Sequence, residues 1–401
     1  MVSALTRVFG IQNLALAEDV VQDALCQALT VWKLRGVPEN PSAWLMATAK
    51  NRALDALRRE RTARTFAPEL ARMLDSEWTL APAAQSLFQA ASVEEDQLRM
   101  MFSCCHPKLS EDAQVPLMLH ILCGFSVAEI ASAFIASEAA IEKRLVRAKK
   151  VLASSKHLFE LSDEDFAARS SAVLRALYLL FNEGYHGAHA GSAVRVELCQ
   201  DAMHLGALLR HNPLTATPAT HALCALMCLH AARLPARFDA AGDLVGLFEQ
   251  DRALWDSALI AEGKRLLDAS AIGTELSEYH VEAGIAAIHA AAREAGDTDW
   301  RGIIALYDTL LELRPSPVIA LNRALALAQH FGPARGIEAI TTIEGRERLA
   351  SYPFYHAALG ELELRRERHT AALAHFRVAL GLARNPQERR FLESRIARCA
   401  V

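Results

Sequence analysis

No run of about 18 uninterrupted apolar residues occurs in the 401-residue chain, so no membrane-spanning helix is expected. The nearest candidate, Ala222 to Ala232, is short and carries His230 and two cysteines. The first residues, MVSALTRVFG, lack the charged segment, apolar core and cleavage site of a secretory leader. These absences predict a cytoplasmic protein whose eight cysteines are buried, reduced thiols. Alternating β-branched runs are scarce, whereas Ala, Leu, Glu and Arg dominate, which predicts an all-α fold. There is no Gly-rich phosphate loop, no G-x-S-x-G and no H-E-x-x-H. Neither an enzyme nor a cofactor is therefore expected.

What is present is 52% apolar and 22% charged, the composition of a soluble, well-packed globular protein. A chain this long predicts two or three domains. The net charge of −4 hides an asymmetry. Cations exceed acids by five between Lys33 and Arg64, and by four between Glu138 and Lys156. Both basic blocks fall in the first 156 residues; the remainder is acidic.

The first block contains two helical stretches. In Leu16 to Trp32, Val20, Val21, Ala24, Leu25, Ala28 and Leu29 form one stripe, with Glu18, Asp19, Gln22 and Asp23 outside it. KLRGVPENP must break that helix, and Asn40 with Pro41 forms a cap and first-turn pair. The next helix, Ser42 to about Arg61, packs through Trp44, Leu45, Ala49, Ala53 and Leu57 and ends in the cationic RRER. Residues 62–93 read as a linker with one short helix, and helical pattern resumes at Glu94.

FSVAEIASAFIASEAAIEKRLVRAKK, residues 125–150, reads as two short helices joined by a turn. Ser126 and Glu129 make a capping box, and Ser137 caps the second helix. Ile130, Phe134, Ile141 and Leu145 lock the pair; Ala131 is the small residue near the turn. From the second helix Glu138, Ala139, Glu142, Lys143 and Arg144 would face a DNA groove. Arg147, Lys149 and Lys150 would neutralise phosphates. An ordinary helical hairpin with a solvated charged face is the alternative for this stretch alone.

From Leu158 onward the chain reads as helices with a repeat. IIALYDTLLELRP and AALAHFRVALGLAR align Tyr307 with Phe376, Leu311 with Leu380 and Leu313 with Leu382, each pair 69 residues apart. That is close to two periods of the ~34-residue tetratricopeptide unit, and GIEAI at 336–340 fits the intervening helix. Ser316 with Pro317 and Asn385 with Pro386 are expected helix starts.

Taken together, AEDVVQDALCQAL with NPSAWLMATAKNRALDALRRER resembles region 2 of extracytoplasmic-function sigma factors. GFSVAEIASAF with AAIEKRLVRAKK resembles their region 4. LYLLFNEGY, LFEQDRALWD and DTDWRGIIALYDTLLELRPSPVIALNRALALA resemble the C-terminal extension of one group of that family. The resemblance implies region 2 at 1–65 (starting close to its LTRVFG part, so N-terminally short) and a linker at 66–93. Region 4 would follow at 94–155 and a tetratricopeptide-like extension at 156–401. It also implies partners: RNA polymerase core, through the β′ clamp and β flap, and promoter DNA. Glu18, Asp19, Gln22 and Asp23 would dock on the clamp. Trp44, Lys50, Asn51, Arg52, Arg58, Arg59 and Arg61 would engage the −10 element during melting. Ser137, Glu138, Ala139, Glu142, Lys143, Arg144, Arg147, Lys149 and Lys150 would serve the −35 element. The extension would regulate in cis by touching the sigma domains. A helix-turn-helix regulator that does not replace sigma, or a repeat scaffold, are the alternatives.

Three further clusters invite chemistry. Cys104, Cys105 and His106 lack a C-x-x-C partner, so buried thiols are expected there in preference to a metal. FNEGYHGAH is expected as a turn between helices, with Glu183 and Tyr185 hydrogen-bonding across the domain. Asn182, Glu183 and Tyr185 are nonetheless the best candidates for a regulatory contact. Asp251, Arg252 and Trp255 form a second candidate, expected as a structural ion pair beneath the Trp.

Overall fold

The computed structural model describes residues 1–9, 13–41, 43–49, 51–53, 90–134, 136–154, 161–186 and 192–399. Among them there is no strand, only an isolated bridge between Phe238 and Leu244. The chain divides into two compact units, 1–131 with 136–176 and 132–135 with 177–401.

In the first unit α1 (Val2–Phe9) packs on α2 (Leu14–Arg35), and α3 covers 43–49 and 51–53. Their core is Leu5, Ala17, Val20, Val21, Ala24, Met46, Ala49 and Ala53. The small residues recur every three or four positions, so the helices approach closely. The expected stripe is cut short: Leu25 and Leu29 are 45% and 77% exposed. The buried arc runs instead through Ala17, Val20 and Val21 toward Ala24 and Ala28. Gly36, at φ +82°, ends α2 in a conformation that side chains with a Cβ rarely adopt. The expected Asn40 cap forms, its Oδ1 accepting from Ala43 N at 3.0 Å.

The unit continues with α4 (Ala90–Cys104), α5 (Glu111–Leu122), α6 (Val127–Ala133) and α7 (Glu138–Ala153). Helix α1 packs against both α4 and α5, so the two halves of this unit share a core. The start of α8 (Asp163–His186) belongs to it as well, with Phe166 edge-on to Phe102 at 4.7 Å.

The second unit holds the rest of α8, then α9 (Val196–His211), α10 (Pro218–Ala231) and α11 (Ser257–Ser270). Helix α10 is apolar on every side and is buried from Ala222 through Leu229, as CALMCLH implies. The helices α12 (Glu278–Ala291), α13 (Trp300–Leu313), α14 (Pro317–Phe331) and α15 (Pro333–Thr341) come next. The last three are α16 (Pro353–Leu364), α17 (His369–Gly381) and α18 (Pro386–Arg398). From α12 onward each helix packs on its successor. Burial repeats at the spacing read from the sequence: Ile303 and Ala372 are buried, as are Leu310 and Ala379, again 69 apart. GIEAI lies in the short helix α15. At Gly336 an added Cβ would fall 2.4 Å from Ala328 Cβ, and at Gly360 it would fall 2.7 Å from the Phe376 ring. Glycine is what lets those pairs close. Asn385 caps α18 by accepting from Glu388 N at 2.9 Å, whereas Ser316 makes no side-chain cap and Pro317 alone starts α14.

Candidate nucleic-acid interface

Helix α6 begins with the expected capping box. Ser126 N donates to Glu129 Oε2 at 2.8 Å, and Glu129 N donates to Ser126 Oγ at 3.2 Å. Ser137 Oγ then accepts from Ala140 N at 3.3 Å and opens α7. Ile141, Leu145, Ala148 and Leu152 bury one stripe of α7, and that stripe fixes which residues face away. Glu138, Ala139, Glu142, Lys143, Arg147 and Lys150 are exposed, and Arg144 is half-buried. Among the described residues Lys143, Arg144, Arg147 and Lys150 have no ion-pair partner. This is the array a helix needs to enter a major groove, acceptors and cations at its N-terminal end and further cations along it.

Lys149 is different. Its Nζ donates to Glu18 Oε2 at 2.6 Å, a partner 131 residues away, and the pair is largely shielded. His120 Nε2 lies 3.6 Å from the other carboxylate oxygen of Glu18, and His120 Nδ1 sits 2.7 Å from Phe125 O. Glu18 is therefore not on the free acidic face expected of it, while Asp19, Gln22 and Asp23 are exposed. His120 was not expected at this site. Nothing in the local sequence marks it, because its partner is remote.

Of the candidates in the first basic block, Lys50, Arg58, Arg59 and Arg61, like Leu57, lie outside the described residues. Asn51 is exposed; Arg52 is exposed too and bonds back to α2, with Nη1 2.9 Å from Asp23 Oδ2. Trp44 is half-buried and stands edge-on to Trp32 at 5.5 Å. Trp32 Nε1 is buried without a hydrogen-bond partner among the described residues. An unsatisfied indole N–H beside an aromatic face is a feature that a stacked base with an acceptor would complete.

The other clusters resolve into structure. FNEGYH is not a turn; it is the end of α8. Tyr185 is buried and stacks on Phe181 at 5.8 Å, and its hydroxyl has no hydrogen-bond partner among the described residues. Its backbone carbonyl accepts from Arg237 instead. Asp251 caps a short turn through Ala253 N, and Arg252 donates to the carbonyls of His289 and Ala292 at 2.7 and 2.9 Å. Arg252 lies over Trp255, so the bolt beneath that Trp runs through backbone carbonyls in place of the expected ion pair. Cys104 and Cys105 are buried, and burial pushes the Cys105 thiol up to about 12. Six of the eight cysteines are buried, while Cys26 is exposed and Cys123 half-buried. Among the described residues no three His, Cys, Asp or Glu side chains are placed to hold a metal ion, and no helix is long and apolar enough to cross a membrane.

Comparison with known proteins fits this geometry. Residues 2–63 match the Sigma-70 region 2 family and residues 99–152 match Sigma-70, region 4. Residues 169–271 match a family of unknown function, DUF6596. An uncharacterized protein of Rhizobium meliloti (strain 1021) is 38% identical over 402 residues, spanning 99% of this chain and 93% of that protein. No solved structure matches. With a region 2 whose acidic and aromatic helices pack as described, a region 4 whose second helix turns its cations outward, and a relative alike along its whole length, the chain belongs to the extracytoplasmic-function sigma factors that carry a long C-terminal extension.

Proposed function

We propose that this sigma factor reads its promoter at two points and that its extension governs access to them. The observation that carries the reading is the outward face of α7. Its buried stripe leaves Glu138, Glu142, Lys143, Arg147 and Lys150 exposed together. A glutamate can accept from cytosine N4 and an arginine can pair with guanine, so these side chains would read the −35 element. Trp44, with the unsatisfied Trp32 N–H behind it, would receive a base of the −10 element as the duplex opens. Lys50, Asn51, Arg52, Arg58, Arg59 and Arg61 would hold the strand. Asp19, Gln22 and Asp23, exposed on α2, would meet the β′ clamp of polymerase, and region 4 would meet the β flap.

The Glu18–Lys149 pair supports a resting state. Glu18 belongs to the acidic set assigned to polymerase, and Lys149 to the set assigned to DNA phosphates. While they hold each other, neither serves its other partner. Helical repeats present protein-binding surfaces, so the extension is the element that would stabilise or release this state.

Run-off transcription tests both levels. The chain is added to core polymerase on a cognate promoter with no other sigma present. Specific transcripts are expected; DNA binding without transcripts would instead favour a regulator that does not replace sigma, and neither would favour a scaffold. In the same assay Lys149→Ala and truncation after Ala176 are expected to change output. Unchanged output from the truncated chain would remove the role assigned to the extension.

A further inference from the structure

The second unit holds a half-open cavity of about 280 Å³, a little under the usual range for small-ligand sites of about 300–1,000 Å³. Half of its wall comes from the DUF6596 segment: His186, Arg233, Arg237 and the loop that follows. The other half comes from α16 and α18. Most of the surface is apolar, formed by Val245, Leu247, Pro353, Phe354, Phe391 and Leu392.

The charged groups on the wall are Arg233, Arg237 and Glu388, and only the two arginines lack a partner of opposite charge among the described residues. Arg237 lies over the Tyr185 ring at 4.4 Å and donates one bond, from Nη1 to Tyr185 O at 2.8 Å. Arg233 lies over the Trp255 ring at 5.3 Å, and its Nε donates to Gln250 Oε1 at 3.4 Å. Neither has a carboxylate partner among the described residues. A guanidinium carries five N–H donors, so most of theirs are unspent on the described residues.

Elsewhere around the cavity every nearby carboxylate is already taken. Glu388, which lines the wall, accepts from Arg384 Nη2 at 2.6 Å and from Arg384 N at 2.8 Å. Glu249 is held by Arg395 at 2.5 Å and Arg398 at 3.0 Å, and Asp243 by Arg390. The two arginines on the wall are the exception to this pairing. Both are half-buried, and two cations without a counter-charge beside an apolar chamber leave room for an anion.

His186, exposed at the end of α8, stands on the wall beside the two arginines. His230, packed against the Tyr185 ring at 5.0 Å, is pushed down to about 3 by burial and by Arg233 and Arg237. His230 is neutral at pH 7 and adds no charge to the site.

We propose that this cavity binds a small organic anion, an acidic head on an apolar body, with Arg233 and Arg237 receiving the head and the Val245, Leu247, Phe391 and Leu392 wall receiving the body. Fork-shaped guanidinium donors suit a carboxylate or a phosphate ester equally, and the test separates the two. Nothing in the proposal depends on promoter recognition, because its readout is binding to the full-length chain.

Calorimetric titration and thermal shift would be run with octanoate, octyl phosphate, octylamine, octanol and inorganic phosphate. Octanoate or octyl phosphate is expected to bind and to raise the melting temperature; the stronger of the two names the head group. Octylamine and octanol are expected to bind at least tenfold more weakly. Arg233→Met and Arg237→Met are each expected to weaken the anion at least tenfold, while Arg335→Met, an exposed residue of α15 paired with Glu338 and outside the wall, leaves it unchanged. Arg237 also ties down the end of α8, so Ala357→Leu is the second variant; it adds volume to the wall, keeps both arginines, and is expected to weaken octanoate. Equal binding of octanol and octanoate, anion binding indifferent to Arg233→Met, or no binding by either anion would each overturn the proposal.

Discussion

Cations are used differently in the two units. On α7 of the first unit, Lys143, Arg147 and Lys150 are exposed and unpaired among the described residues, attached to a helix whose other face is core. In the second unit arginines are mortar. Arg314 holds Glu278 at 2.9 Å, Arg323 holds Asp308 at 2.5 Å, and Arg395 holds Glu249 at 2.5 Å, each joining separate elements. A charge that a protein intends to spend on a partner is left exposed and single. A charge that it spends on itself is matched. Three residues cross that division. Lys149 sits on the outward-directed helix yet is matched, and Arg233 with Arg237 sit in the matched unit yet are single. Those exceptions are where the resting-state and anion proposals arise.

The comparison can be broken most severely through packing. Phe376→Ala empties a site that Gly360 is shaped to meet, and is expected to cost about 3–5 kcal/mol of stability. Denaturant unfolding would measure it. A loss below about 1 kcal/mol would mean that the stacked helices of the second unit are not held by their crossings.

A smaller effect is expected from acid. His289 is pushed down to about 4 and His230 to about 3, in both cases chiefly by burial and then by Arg233. An unfolded histidine takes its proton near pH 6.5. The folded state resists protonation, so this stability is fully present above about pH 6.5 and drains away as pH falls toward 4. Unfolding of the full chain followed between pH 7 and 4.5 should show it, with His230→Gln flattening the decline. An unchanged slope in that variant would contradict the assignment.

The smallest expected effect on stability is the most telling for function. Arg147→Ala and Lys150→Ala should leave the unfolding free energy within about 0.5 kcal/mol, since they touch no core. Each should weaken promoter binding and reduce its salt dependence by about one unit of slope. Stability losses like those of a paired arginine would erase the distinction drawn above.

Much of this was legible in the sequence. The capping box at Ser126, the cap at Ser137 and the buried stripe of α7 are local, set by spacing and short side chains. The 69-residue spacing was readable only in part: Ile303 with Ala372 and Leu310 with Ala379 are buried alike, whereas Leu313, read as a repeat position, is 45% exposed. What escaped depends on distant partners. Leu25 and Leu29 look like core because their helix is amphipathic, but no element among the described residues covers them. FNEGYH looks like a turn because of its glycine. Gly184 instead permits close approach, an added Cβ falling 2.8 Å from Leu198 Cβ. Glu18, His120 and Lys149 meet only after folding, and no spacing rule links residues 131 positions apart.

The pairs from Arg390 to Asp243 and from Arg395 to Glu249 connect residues nearly 150 positions apart within the second unit. A simple stack of hairpins is open-ended, and its length can drift as units are gained or lost. Here the last helix is tied back to a loop that precedes the stack, which turns a ladder into a hoop. The number of hairpins between those knots is thereby fixed by closure. A chain that gained or lost one would have to untie two ion pairs and reopen the chamber between them.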